Sequence, residues 1–245
     1  MKVHISIPMD FGERQPRLLH EAPAIARPLQ AGTFIGSVEQ GGSCNVDTVT
    51  MVAHCHGTHT ETAYHIYSGG PRISDIEPVE KSPCQLISVH PTLRSCPIRN
   101  GANMMLSVVD ANSVRLALKS CDAIESLVIR TLPNDISKCS RRYEWDEDFP
   151  FISEAAMQVI RAKGVRHLVI DTPSVDRCHS CEMPAHRLFF GSTDDPDFRR
   201  RTITEFAFIP NDVADGHYYL SIAFPRWYLD AAPSWASLQS GSLYP

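Results

Sequence analysis

The sequence predicts a mixed α/β fold in one domain. Three features point there: short β-branched runs such as QLISVH and SLVIRT, helix-like stretches between them, and a final third whose strand-like runs are broken by Asn-Asp and Asp-Gly turns. The chain has 245 residues, 43% hydrophobic content and a net charge of −5. That is enough apolar material for a sizeable core, without the high charge of a disordered chain. No repeat, low-complexity tract or Gly/Ser linker divides it, so residues 1–245 read as a single domain.

The elements follow in order. Turn signals in GERQPR, EAPAIARP and EQGGSCN break the first 45 residues into loops and small strands, expected to wrap the surface or meet another subunit. QLISVH and SLVIRT read as strands flanking DANSVRLALKSC, whose Asp/Asn start and apolar spacing predict a helix. The pattern recurs after residue 150, where Ser153 caps a helix, Gly164 ends it, and Val165 to Asp171 forms a buried strand. Two such units imply crossover connections and some parallel sheet. The stretch from RTITEFAFIP to RWYLD reads as antiparallel, with Tyr218, Tyr219, Phe224, Trp227 and Tyr228 packing in a core or interface.

Composition excludes several functions. Lys and Arg are scattered except at Arg199, Arg200 and Arg201, so no nucleic-acid partner is expected. No run of about 18 apolar residues offers a membrane span, and MKVHISIPMDFGERQ lacks a signal-like apolar core, so a cytoplasmic protein is expected. The eight cysteines are then expected to be reduced, and Cys178 and Cys181 form a lone C-x-x-C with no second pair for zinc. Ser43, Ser174 and Ser180 lie in no G-x-S-x-G elbow, and Gly41-Gly42 is too short to cradle a pyrophosphate.

The chemistry concentrates in HCHGTHTETAYH, residues 54–65, which holds four of the eleven histidines and one glutamate. Imidazole nitrogens and carboxylate oxygens suit zinc, manganese or iron. On an extended strand His54 and His56 share one face while His59 and Glu61 share the other, and a bend at Gly57 would focus His54, His59 and Glu61 on one ion.

This stretch resembles the signature H-x-G-T-H-x-D-x-P-x-H of the cyclase family, which includes bacterial kynurenine formamidases and isatin hydrolases. Gly57, Thr58, His59, Glu61 and His65 carry the match, and GGSCNVDTVTM, VIRTLPN, HLVIDTPSVD, AHRLFF and ITEFAFIP extend it along most of the chain in the family's order. The resemblance implies a swivelling β/β/α domain with a central mixed sheet or barrel and flanking helices, assembled as a homodimer or homotetramer. It also implies a metal-dependent hydrolase of amides, formamides, cyclic imides or lactones, acting on a small-molecule substrate with zinc or manganese as cofactor. Carried over by position, His59, Glu61, His186 and Glu205 become metal ligands and His65 the catalytic acid/base.

The chain departs from the signature in three places. Cys55 stands where the family has its leading histidine, and His54 is preferred as that ligand with His56 and Cys55 as rivals; a branch with an HCxGTHTE form is similar. Glu61 replaces the aspartate, and Ala63 the proline. Asp171 and Asp176 are candidates to orient ligand rings, and His179 to reach an ion. Arg130, Trp145, Phe149 and the loop GSTDDPDFRRR are candidates to shape the substrate pocket. Two alternative functions stay open: ring closure on the same polarised carbonyl, and a non-catalytic binding protein of the same fold.

Overall fold

Leu127, Ile129, Leu168 and Ile170 point into one hydrophobic core, while Val128 and Val169, between them in sequence, point into another. Strands buried on both faces read as continuous apolar runs rather than alternating ones, which is why SLVIRT and HLVI share an uninterrupted Leu-Val-Ile centre. These strands belong to the centre of a nine-stranded sheet. The structure, a computed structural model, describes residues 1–19, 22–97, 102–144, 149–178 and 180–241.

In chain order the strands of this sheet are β1 (Lys2–His4), β2 (His59–Thr62), β3 (Val79–Val89), β4 (Ser126–Thr131), β5 (His167–Ile170), β6 (Thr202–Glu205), β7 (Gly216–Ala223), β8 (Ala231–Pro233) and β9 (Trp235–Gln239). Their spatial order is β1-β9-β7-β3-β4-β5-β6-β2-β8. Strands β3 to β6 run parallel, and the rest pair antiparallel. The sheet curls: just beyond β1, Ser6 bridges Ala207 just beyond β6, and the Phe208 N–H donates to the Ile5 carbonyl at 2.8 Å. Inside the curl lies the smaller core of Ile5, Leu86, Val128, Val169, Ile209 and Leu238.

Three helices, α1 (Ala111–Ala117), α2 (Glu154–Ala162) and α3 (Pro184–Phe190), cover the other face. Asp110 caps α1 by accepting from the N–H groups of Asn112 and Ser113. Ser153 caps α2 through the Ala156 N–H, and Gly164, at φ +83°, follows its end. Ala156, Met157 and Ile160 are its buried stripe.

The expected mixed class is therefore present, with differences in detail. β6 was expected among antiparallel strands, yet it pairs parallel with β5 and antiparallel with β2, because α3 makes a third strand-helix-strand connection. A ribbon of Thr92–Pro97 and Asn103–Val109 projects between β3 and α1, a hairpin absent from the expected elements although Asn100-Gly101 stands between its strands in the sequence. Short ribbons in residues 25–50 match the expectation for the N-terminal segment. No disulfide bond links any of the eight cysteines, and no helix among the described residues is long and apolar enough to cross a membrane.

Candidate metal centre

Strands β6 and β2 bring the first three groups together. Antiparallel pairing sets Glu205 opposite His59, and Glu61 follows His59 by two residues, so all three project from the helix-covered face. His59 Nε2 lies 3.4 Å from Glu205 Oε2, and all three side chains are buried. On the reverse face the partners Thr60 and Thr204 join hydroxyls at 2.8 Å, and Thr60 also donates to Ser234 Oγ at 2.9 Å.

The turn before β2 delivers His54. Gly57 has φ +121°, a left-handed backbone that a side chain would strain, and the expected bend sits there. It brings His54 Nδ1 to 3.4 Å from Glu61 Oε2, and the His54 ring packs edge-on against His59. His56 turns away: its Nδ1 accepts from the Val52 N–H at 2.8 Å and its Nε2 bonds the Ala22 carbonyl at 2.7 Å, so neither nitrogen is left for an ion. The buried Cys55 belongs to neither group of donors that the described residues gather.

After β2 a short 3-10 turn, Ala63–His65, places His65 Nε2 3.8 Å from Glu61 Oε2. Gly70 makes this turn possible. A Cβ at Gly70 would stand 2.3 Å from the Tyr64 nitrogen. Helix α3 supplies His186 from the covering layer, with its Nε2 3.0 Å from Glu61 Oε1 and 3.7 Å from Glu205 Oε1. The Asp176 carboxylate accepts from the Ala185 and His186 N–H groups at the helix start and from His186 Nδ1 at 2.7 Å.

A common pattern runs through the four rings. Each histidine satisfies one nitrogen outward, His59 on the Gly57 carbonyl, His186 on Asp176, and His54 and His65 on Asp230. Each turns its other nitrogen inward to Glu61 or Glu205. Metal-ligating histidines are held in this way. His59 Nε2 and both Glu61 carboxylate oxygens are buried without a properly aligned hydrogen bond, a costly state for polar atoms unless a cation joins them. Two sets of donor atoms lie within 4.8 Å of one another, His54/Glu61/His65 and His59/Glu61/Glu205, with Glu61 common to both. The residues present therefore fit a divalent ion.

The electrostatics agree. Burial alone would raise the Glu61 carboxyl, but the charges of His186, His65 and His54 hold it at about 2. Burial would lower His186, yet Glu61, Asp176 and Glu205 lift it well above its ordinary value. His59 and His65 are raised in the same sense, against burial, by Glu205 and Glu61 respectively with further help from their other acidic neighbours. The site attracts positive charge at its inner nitrogens.

His54, His59, Glu61, His65, His186 and Glu205 thus meet in one place. Of the candidate orienting acids, Asp176 contacts His186, whereas Asp171 accepts from Thr131 and Lys138 instead. Arg130 is no pocket residue, because its guanidinium is consumed by Ser88, Pro210, Val213 and Asp215. Phe149 packs against Tyr143 and Phe206 in a small core. In the loop of residues 191–201, Asp195 pairs with Arg161 and Arg201, at the start of β6 rather than at its Glu205 end. Trp145 and His179 lie outside the described residues. Asp230 has no signature in the sequence, since a lone acid after RWYL points to nothing 176 residues away. A cleft of about 590 Å³, lined in part by Glu77, Lys81, Arg166 and Arg200, shares no residue with the imidazole cluster.

A family profile described as "Putative cyclase" matches residues 3–177, well over half of the chain. The chain belongs to the cyclase family. This cyclase-family chain is 27% identical over 196 residues to kynurenine formamidase from Bacillus cereus (strain ATCC 14579), covering 80% of itself and 79% of that protein. To kynurenine formamidase from Bacillus cytotoxicus it is 28% identical over 154 residues, 62% of this chain, and it spans only 63% of that relative's length. Among solved structures, isatin hydrolase A from Labrenzia aggregata, bound to benzyl benzoate, has a TM-score of 0.67 at 14% identity, covering 98% of this chain and 94% of that one. A predicted metal-dependent hydrolase from Bacillus stearothermophilus has a TM-score of 0.63 at 17% identity, with 97% of each chain covered. At such identities the structural likeness is one of fold, and it includes the curled mixed sheet of the cyclase family.

Proposed function

We propose that this cyclase-family chain is a metal-dependent hydrolase of a small molecule, cleaving an amide, formamide, cyclic imide or lactone carbonyl. The observation that carries the reading is the inward turn of four imidazole nitrogens onto the buried, unsatisfied carboxylate of Glu61 and its neighbour Glu205. Its relatives named kynurenine formamidase and its structural neighbours named isatin hydrolase support the same class.

His54, His59, Glu61, His186 and Glu205 would hold the ion, and their mixture of imidazole and carboxylate donors suits zinc or manganese. A divalent ion held there would make water acidic enough to attack near neutral pH and would polarise the carbonyl. His65 then does the proton work. Its Nδ1 is tied to Asp230 at 2.8 Å, leaving Nε2 beside Glu61 to take a proton and return it to the leaving nitrogen or oxygen. Glu61 and Glu205 keep the His59 and His186 rings fixed against the strand pair. Glu61, one methylene longer than aspartate, reaches from β2 to His186 on the facing helix.

Assembly as a homodimer or homotetramer belongs to the same reading. Exposed Val46, Val49, Leu93 and Met105 on the projecting ribbons support it, and light scattering tests it. The activity itself is tested with zinc- and manganese-loaded protein on aryl formamides in ¹⁸O-labelled water. Hydrolysis places solvent oxygen in the acid product. Turnover without ¹⁸O would favour ring closure, and failure to take up metal or turn over would favour a binding protein.

A further inference from the structure

We propose that Asp230 is a positioning residue that governs two members of the centre with one oxygen, orienting His54 toward the ion and His65 toward the substrate. The inference rests on the hydrolase reading and deepens it.

Asp230 Oδ2 lies 2.9 Å from His54 Nε2 and 2.8 Å from His65 Nδ1. An ionised carboxylate oxygen has lone pairs for two such donors, so both ring N–H groups donate to it. The two rings stand with centroids 4.3 Å apart, their planes tilted by 32°. With the outer nitrogens occupied, the tautomers are fixed. In each neutral ring the free lone pair is then on Nδ1 of His54 and Nε2 of His65, the atoms that face Glu61 Oε2 at 3.4 and 3.8 Å.

The backbone that carries Asp230 is itself anchored. The Asp230 carbonyl accepts the Thr62 N–H at 3.0 Å, which ties it one residue beyond Glu61 on the same strand. Upstream, the Leu229 and Trp227 carbonyls accept the Ile73 and Ser74 N–H groups at 2.8 and 3.1 Å. Asp230 is therefore held on both sides at a set distance from β2. Asp176 differs, because it orients only His186. Removing Asp176 disturbs one ligand, whereas removing Asp230 loosens a ligand and the proton carrier together.

The test uses the full chain with Asp230→Ala and Asp230→Asn. Co²⁺ uptake is followed by visible absorption, and aryl formamide turnover is measured at saturating metal. Loss of a carboxylate that orients a ligand histidine costs about 10–100-fold in metal affinity or activity. Asp230→Ala should weaken Co²⁺ binding by about that factor and lower kcat at least about tenfold with KM little changed. Asp230→Asn, of native size, should fall between Ala and the native protein and guards against misfolding of the Ala variant.

The decisive arm is the double variant. In a His65→Ala background, Asp230→Ala should still weaken Co²⁺ binding through His54 but lower kcat no further. A full additional loss of kcat in that background would overturn the proposal, as would native Co²⁺ affinity and kcat in Asp230→Ala. Native protein that takes up no Co²⁺ defeats the hydrolase reading itself; native uptake that Asp230→Ala leaves unchanged defeats the role of Asp230 alone.

Discussion

Glu61→Gln keeps the volume of the side chain and removes its charge. Glu61 is the one donor common to both sets of ligand atoms, and its oxygens lie 3.0, 3.4 and 3.8 Å from His186, His54 and His65. Changing a residue that merely orients a ligand costs about 10–100-fold, so losing this donor should weaken metal binding by at least about 100-fold. At a metal concentration about 1,000 times the native Kd, binding stabilises the native fold by about 4.1 kcal/mol, and after a 100-fold loss about 1.4 kcal/mol remains. For a chain of this size each kcal/mol moves Tm by about 2–4 °C. Zinc or manganese should therefore raise the native Tm by about 8–16 °C and that of Glu61→Gln by only about 3–6 °C. Calorimetric titration and thermal melts with and without metal measure both. A variant with the native Kd and the native Tm rise would refute the placement of Glu61 between the donors.

Three further outcomes are expected. His65→Ala should lose about 100- to 10,000-fold in kcat while keeping most of its metal, read by turnover and elemental analysis in parallel. Gly70→Ala should drive a Cβ against the Ala63–Tyr64 backbone and cost about 1–3 kcal/mol in urea unfolding, with a fall in turnover because His65 rides on that turn. His167, at the far end of β5, is lowered to about 4, chiefly by burial and also by Arg166, against the pull of Glu125. A depressed pKa keeps the folded ring neutral, so its contribution is whole above about pH 6.5 and drains away as pH falls through about 4, by about 3 kcal/mol at most. His167→Gln should flatten the pH dependence of unfolding in that window; an unchanged slope would exclude His167 as its source.

How much was legible in the sequence depends on the range of each signal. Asp110, Ser153 and Gly164 act on their immediate neighbours, so the bounds of α1 and α2 could be read locally. The 54–65 cluster was legible because its ligands are packed into twelve positions around one glycine. His186 and Glu205 were reached only through resemblance, since their meeting with Glu61 depends on α3 lying over β6 and β2. The preference for His54 over His56 was open on spacing alone. The structure separates them through the Val52 N–H and the Ala22 carbonyl, which occupy both His56 nitrogens. Asp230 was invisible because its partners are fixed by the pairing of β8 with β2, a contact across more than half the chain. The parallel pairing of β6 was misread because its flanks carry the turn residues of a meander.

The hydroxyl contact of Thr60 with Thr204 sits behind the ligands, yet it guards them. Were β2 to slide against β6 by a single residue, every β2 side chain would exchange faces, sending His59 and Glu61 toward the inner core and Thr60 and Thr62 toward the place of the cation, while Glu205 stayed behind on β6. The alignment of two four-residue strands thus works as a combination lock, and substitutions at these unreactive threonines should unsettle the chemistry without touching a reacting atom.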